Sequence, residues 1–152
     1  MAGINWSRVL IGGLGAGVVM NVVDAVLNGV LLQGQWATES NALNPRILTA
    51  GTTSMIGWIL VDFITALFMV WLYAAIRPRY GAGAGTAMKA GIATWGIAHV
   101  WMMSYVFMNL FSANLMLFVA AGALVGTLAG AYVGGMLYRE EGEDVVRRAD
   151  AV

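Results

Sequence analysis

Residues 113–138 read ANLMLFVAAGALVGTLAGAYVGGMLY, a run without a charged side chain in which Gly122, Gly126, Gly130 and Gly134 recur at every fourth position. At 1.5 Å per residue a helix of this length reaches about 39 Å, more than the ~30 Å hydrocarbon core of a bilayer. The four-residue spacing puts the glycines on one helix face, smooth enough for a second backbone to lie close against it. Three further apolar runs, 8–32, 52–77 and 85–111, are each long enough to cross a membrane. Period-two alternation, the mark of membrane-spanning strands, is missing from all four. The expected fold class is therefore all-α, an integral membrane four-helix bundle over residues 1–138.

Composition agrees. Of 152 residues, 60% are hydrophobic and 11% charged, and mean hydropathy is +0.77, whereas a soluble domain carries about a quarter charged residues. Formal net charge is zero and no basic face forms, which speaks against nucleic acid as a partner. The absence of cysteine excludes disulfides, thiolate metal sites and cysteine nucleophiles. Run 8–32 is too long for the core of a signal peptide and is read as a retained helix.

Orientation follows from the basic residues. Arg8, Arg77, Arg79, Lys89, Arg139, Arg147 and Arg148 share one side, and Arg46 alone falls on the other. By the positive-inside rule both termini are expected in the cytoplasm of a bacterium, in its inner membrane, with loop 33–51 outside. Within that loop a short interfacial helix is expected around 36–43, before Pro45, with Trp36 at the membrane surface. The connection at 111–114 is short, so the third and fourth helices should be antiparallel neighbours. Residues 139–152 form a polar cytoplasmic tail.

The smooth faces have two readings. Gly13 and Gly17 begin a second stripe on the first helix, and Gly83, Ala87 and Gly91 a third. With no hydrophobic force between helices in lipid, these faces serve close packing, either within the chain or at a seam with another copy or another membrane subunit.

Polar residues are costly in the same runs. Asn21, Asp24 and Asn28 follow Gly17 at helical spacing; Asp62 and Thr65 share a face of the second helix; Trp95, His99 and Met103 share one of the third. Counted from the outer helix ends, Asp24 lies roughly 12 Å deep, Asp62 roughly 15 Å and His99 roughly 18 Å. An ionised carboxylate at mid-membrane costs at least ~2.5 kcal/mol, so these groups should be protonated, hydrated or paired with one another. Two carboxylates and an imidazole suit a proton relay, a cation site or a divalent metal site, and equally suit plain hydrogen bonding between helices. Haem at His99 is disfavoured because His99 is the only histidine. No cofactor is expected. Met102, Met103, Met108 and Met116 read as gap-filling side chains rather than copper ligands. The glycines at 12–17 fit a dinucleotide pattern, but no strand precedes them. No nucleophile, base and acid arrangement points to a hydrolase.

The segments 70–81 (VWLYAAIRPRYG), 28–32 (NGVLL) and 137–140 (LYRE) resemble a family of small four-helix bacterial inner-membrane proteins to which no activity is attached. The resemblance implies location and fold, and brings no catalytic residue or cofactor. The motif also has a local account, in which Pro78 ends the second helix and the flanking arginines anchor it.

The function expected from the sequence is structural or associative, in a self-associating bundle or as an accessory subunit among membrane lipids. The alternatives are a small proton or cation transporter using Asp24, Asp62 and His99, and a haem- or metal-binding protein. The topology makes a direct prediction: a phosphatase that works only outside the cytoplasm should be inactive when fused after Val152 and active when inserted between Asn41 and Ala42.

Overall fold

The computed structural model describes residues 3–43 and 51–140, and their regular elements are all helical. Helix α1 is Trp6–Val26, continued by a π-helical turn at Leu27–Leu31; α2 is Gln33–Leu43, α3 Gly51–Tyr80, α4 Ala84–Met102, α5 the short Ser104–Phe107 and α6 Ala113–Leu137. Three segments are long and apolar enough to cross a membrane: Trp6–Leu31, Ser54–Tyr80 and Ala113–Leu137. Their outward faces are large and apolar. Leu10, Leu14, Val18, Val22 and Val26 form an exposed stripe along α1, as do Trp58, Ile64 and Phe68 on α3, and Leu117, Val125 and Met136 on α6. Water would penalise so much exposed hydrocarbon, and lipid does not. The chain is a membrane protein by this pattern.

Small residues fill the inside. Helix α1 packs most extensively on α6 and α3, and α4 on α6 and α3. Ala16, Ala66 and Ala90 are fully buried and sit in one cluster with Met69, Val70, Tyr73 and Ala131. Gly122, Gly126, Gly130 and Gly134 face α1: Leu27 covers Gly122, Val23 covers Gly126, Met20 and the Ala16 carbonyl cover Gly130, and Val70 of α3 joins Gly12 and Ala16 over Gly134. Gly13 and Gly17 face Leu67 and Phe63 of α3. On α4, Gly91 and Ala87 meet Ala131 and Gly135 of α6. Gly83 does not belong to that stripe. It precedes the helix with φ +119° and donates its N–H to the Tyr73 hydroxyl at 3.1 Å.

One end of the assembly is closed by polar and aromatic contacts. The Asn5 side chain caps α1 by accepting from the Arg8 N–H at 3.2 Å, and the Asn5 N–H donates to the Tyr138 hydroxyl at 3.3 Å. Tyr138 meets Tyr73 edge-on, and the Arg77 guanidinium lies over the Tyr138 ring while pairing with Glu140 at 3.4 Å. The N-terminus, the α3–α4 turn and the end of α6 thus share one end, the grouping that the basic residues anticipate.

Three local expectations change. Pro78 does not end its helix: α3 continues to Tyr80 and stops at Gly81, whose φ of +84° and N–H bond to the Arg77 carbonyl at 2.8 Å make a left-handed cap. Run 85–111 is not one helix. Helix α4 ends at Met102 after 19 residues, α5 adds a single turn, and Asn109 turns the chain with φ +56°, so the α4–α6 connection is longer than expected although the two helices do pack together. The expected interfacial segment is a full helix, α2, starting at Gln33. Pro45, Arg46 and the tail beyond Glu140 lie outside the described residues.

Close packing predicts opposite effects at two glycines. A Cβ at Gly12 would lie 2.8 Å from the Gly134 carbonyl oxygen, whereas one at Gly96 would meet nothing within 4 Å. Gly12→Ala should cost about 1–3 kcal/mol, and Gly96→Ala should gain about 0.5–1 kcal/mol. Thermal unfolding in detergent followed by circular dichroism reads both.

Candidate functional site

Asp24, Asp62 and His99 come from α1, α3 and α4 and are far apart in sequence. The fold brings them into electrostatic reach: Asp24 interacts with both His99 and Asp62. All three are half-buried. They lie beyond the tightest layer of the core, on the side of α2. Asp24 is about two turns past the buried Ala16, Asp62 about one turn before the buried Ala66, and His99 about two turns past the buried Gly91.

The surrounding packing explains why they meet. Every buried position of α3 among its described side chains lies from Ala66 onward, and every buried position of α4 lies before Trp95. A second core cluster, made of Leu32, Leu115, Met116 and Val119 with Trp36, Met102 and Phe111 against it, contains no residue of α3. Helix α3 therefore joins the core only over its second half, and its first half, with Asp62 and Thr65, borders a thinly packed region. Thr65 sits half-buried less than a turn from Asp62.

The other polar residues are engaged elsewhere. The Asn21 amide donates to the Gly17 carbonyl at 2.9 Å and to the Ile59 carbonyl of α3 at 3.5 Å, tying α1 to α3. Asn28 lies in the π-helical turn, where its side-chain oxygen accepts the Trp36 indole N–H at 3.0 Å. The amides of Asn21 and Asn28 are thus spent on the α1 and α3 backbones and on Trp36. His99 places Nδ1 2.8 Å from the Trp95 carbonyl oxygen. A carbonyl only accepts, so Nδ1 is the donor in this bond. Trp95 stacks on His99 at 5.4 Å between centroids and donates its own N–H to the Ala120 carbonyl of α6 at 2.8 Å, which fixes the imidazole's platform.

Among the described residues no group of three or more histidine, aspartate or glutamate side chains stands close enough to hold a metal ion.

Glu39 carries a role that its sequence setting does not announce. From α2 it accepts the Ser112 N–H at 2.7 Å and the Ser112 hydroxyl at 2.6 Å, while that hydroxyl accepts the Leu115 N–H at 3.2 Å. A carboxylate therefore sits at the positive N-terminus of α6 and clamps α2 there. Trp36 adds an edge-on contact with Phe111 at 5.2 Å. The acidic partner of Ser112 is 73 positions away, and no local pattern reveals it.

Comparison with protein-family models, curated proteins and solved structures finds no match to this chain.

The clamp makes its own prediction. Glu39→Ala removes both acceptors, and the Ser112 amide should exchange its hydrogen about tenfold faster, as expected for losing a charge-assisted bond of ~1.5 kcal/mol. Exchange measured by mass spectrometry on peptides covering residues 110–118 reports it, and unchanged exchange would show that α2 is held by Trp36 alone.

Proposed function

We propose that the chain is a four-helix bundle of a bacterial inner membrane, both termini cytoplasmic, that binds and hands on a proton or a monovalent cation at Asp24, Asp62 and His99. The observation that carries this reading is that Asp24 of α1 lies within electrostatic reach of both Asp62 of α3 and His99 of α4, with the two carboxylates in segments long and apolar enough to cross a membrane. Two neighbouring carboxylates repel each other in a low-dielectric setting, and a bound proton or cation relieves that repulsion. The imidazole of His99, held through Nδ1 on the Trp95 carbonyl, supplies a second station for a proton.

Access is one-sided in this arrangement. Toward the end bearing Tyr73 and Tyr138, the layer of Ala16, Ala66, Met69 and Val70 is fully buried. Toward α2 the walls are half-buried. A proton entering from the α2 side reaches the carboxylates first, and its passage onward requires the small-residue layer to loosen.

This reading ranks above the associative one because the glycine faces on which a seam with another subunit would rest are covered by α1, α3 and α6 of the same chain. A second copy or an accessory partner would have to bind elsewhere.

The test is proton or potassium flux in liposomes containing the purified protein. Asp24→Asn and Asp62→Asn should each slow flux by about a hundredfold, the lower end of what a positioned proton-transfer group contributes, while thermal unfolding stays close to that of the parent. Flux that survives both substitutions, or a parent that conducts nothing, would remove this function.

A further inference from the structure

Helix α3 runs antiparallel along α1, and the seam between them loosens toward α2. Leu67 covers Gly13, and one turn further Phe63 covers Gly17. After another turn the Asn21 amide reaches the Ile59 carbonyl at 3.5 Å, the far limit of a hydrogen bond. Beyond that contact the helices fork. Every residue from Met55 to Val61 is exposed, two turns of α3 without a buried or half-buried position, whereas a packed helix covers at least one stripe. On α1 the small-residue face nevertheless continues at the same spacing, through the exposed Ala25 to Gly29, where a Cβ would meet nothing within 4 Å among the described residues. The two carboxylates straddle the fork. Asp62 lies three residues inside the Asn21–Ile59 contact and Asp24 three residues outside it, within electrostatic reach of each other.

We propose that this seam is a gate controlled by charge: α3 zips onto α1 for two further turns when Asp24 is neutral and parts from it when Asp24 is charged. The register is already set. A step of four residues on each helix carries the pairs Gly13–Leu67, Gly17–Phe63 and Asn21–Ile59 on to Ala25–Met55 and Gly29–Gly51, and these new pairs again oppose a small residue on α1. A zipped arm shuts Asp24 away from water, which is costly for a carboxylate and tolerable for one that has taken up a proton or a cation. The ionisable groups facing Asp24 are Asp62 of α3, whose like charge adds to that cost, and His99 of α4, whose positive form offsets it; residues 113–138 bring no charge from α6. Uptake of the ion by Asp24 thus closes the arm behind it.

The gate's part in ion passage rests on the proposed function, whereas the movement itself is read without flux. The chain has no cysteine of its own, so Ala25→Cys with Met55→Cys, in the full chain in nanodiscs, reports zipping by the rate of disulfide formation under a mild oxidant. Adding Asp24→Asn, which removes the charge, should speed that rate about tenfold. Ala25→Cys with Gly57→Cys, on the opposite face of α3, should stay unlinked in both backgrounds. Equal rates with Asp24 and with asparagine overturn the proposal, as does a pair that never links or a control that links as well. Disulfides joining two chains would overturn it in favour of a second copy seated in the fork. In liposomes the linked protein, with Asp24 present, should lose its flux and regain it on reduction, and undiminished flux through the linked chain would also overturn the gate. A parent that conducts nothing removes the proposed function, and the linking rates still decide whether the seam zips.

Discussion

The contact on which the rest of the molecule depends is the close approach of the α1 and α6 backbones. At Gly12 and Gly134 each helix offers its carbonyl oxygen to the bare Cα of the other, and Ala16, Met20, Val23 and Leu27 continue the seam along Gly130, Gly126 and Gly122. Lipid supplies no hydrophobic force to join helices, so attraction has to come from many short-range contacts, and these weaken quickly with separation. A side chain at any of these positions would lever the pair apart along its length. With α1 fixed against α6, Gly13 and Gly17 place α3 on the other side of α1, and Gly91 with Ala87 places α4 on α6.

The seam also decides where charge can reside. Near the Tyr73 and Tyr138 end the packed helices are drawn together by residues as small as alanine, and the buried guanidinium of Arg77 is paired there with Glu140. Toward α2 the core is built from Leu115, Met116, Val119 and the aromatic and methionine side chains around them, without α3. Bulkier residues hold the helices further apart and leave room at the flank of α3. Asp24, Asp62 and His99 occupy that half, where neighbouring polar groups and incomplete packing make ionisable side chains tolerable. The π-helical turn belongs to the same region. Its wider ladder, with the Leu32 N–H on the Leu27 carbonyl at 2.8 Å, reorients Asn28 toward Trp36, and the chain then enters α2.

Some features were legible from local pattern because a helix repeats every 3.6 residues whatever surrounds it. The apolar runs, the glycine spacing of α6 and the shared face of Trp95 and His99 follow from that period. The end of α3 was misread for a local reason: a proline lacks only its own N–H and disturbs one carbonyl, so near a helix end the chain passes through it and stops at the first glycine able to turn left-handed. The break after Met102 was invisible because an unbroken apolar run carries no stop signal. Among the site residues, Asn21 and Asn28 share a stripe with Asp24 in the sequence, yet they bond to the α3 backbone and to Trp36.

By itself the sequence determined that the chain is helical and apolar enough for a membrane, that its basic residues gather toward one side, and which faces are smooth. Each of these is a property of one segment or of a sum over segments. Only the tertiary structure decided that the glycine faces close on one another within the chain, that Glu39 caps a helix 73 positions away, and that two carboxylates and an imidazole from separate helices share one region. Such pairings depend on which helix lies beside which and at what height, and those are set by the fit of one irregular surface to another, information that no single stretch of sequence contains.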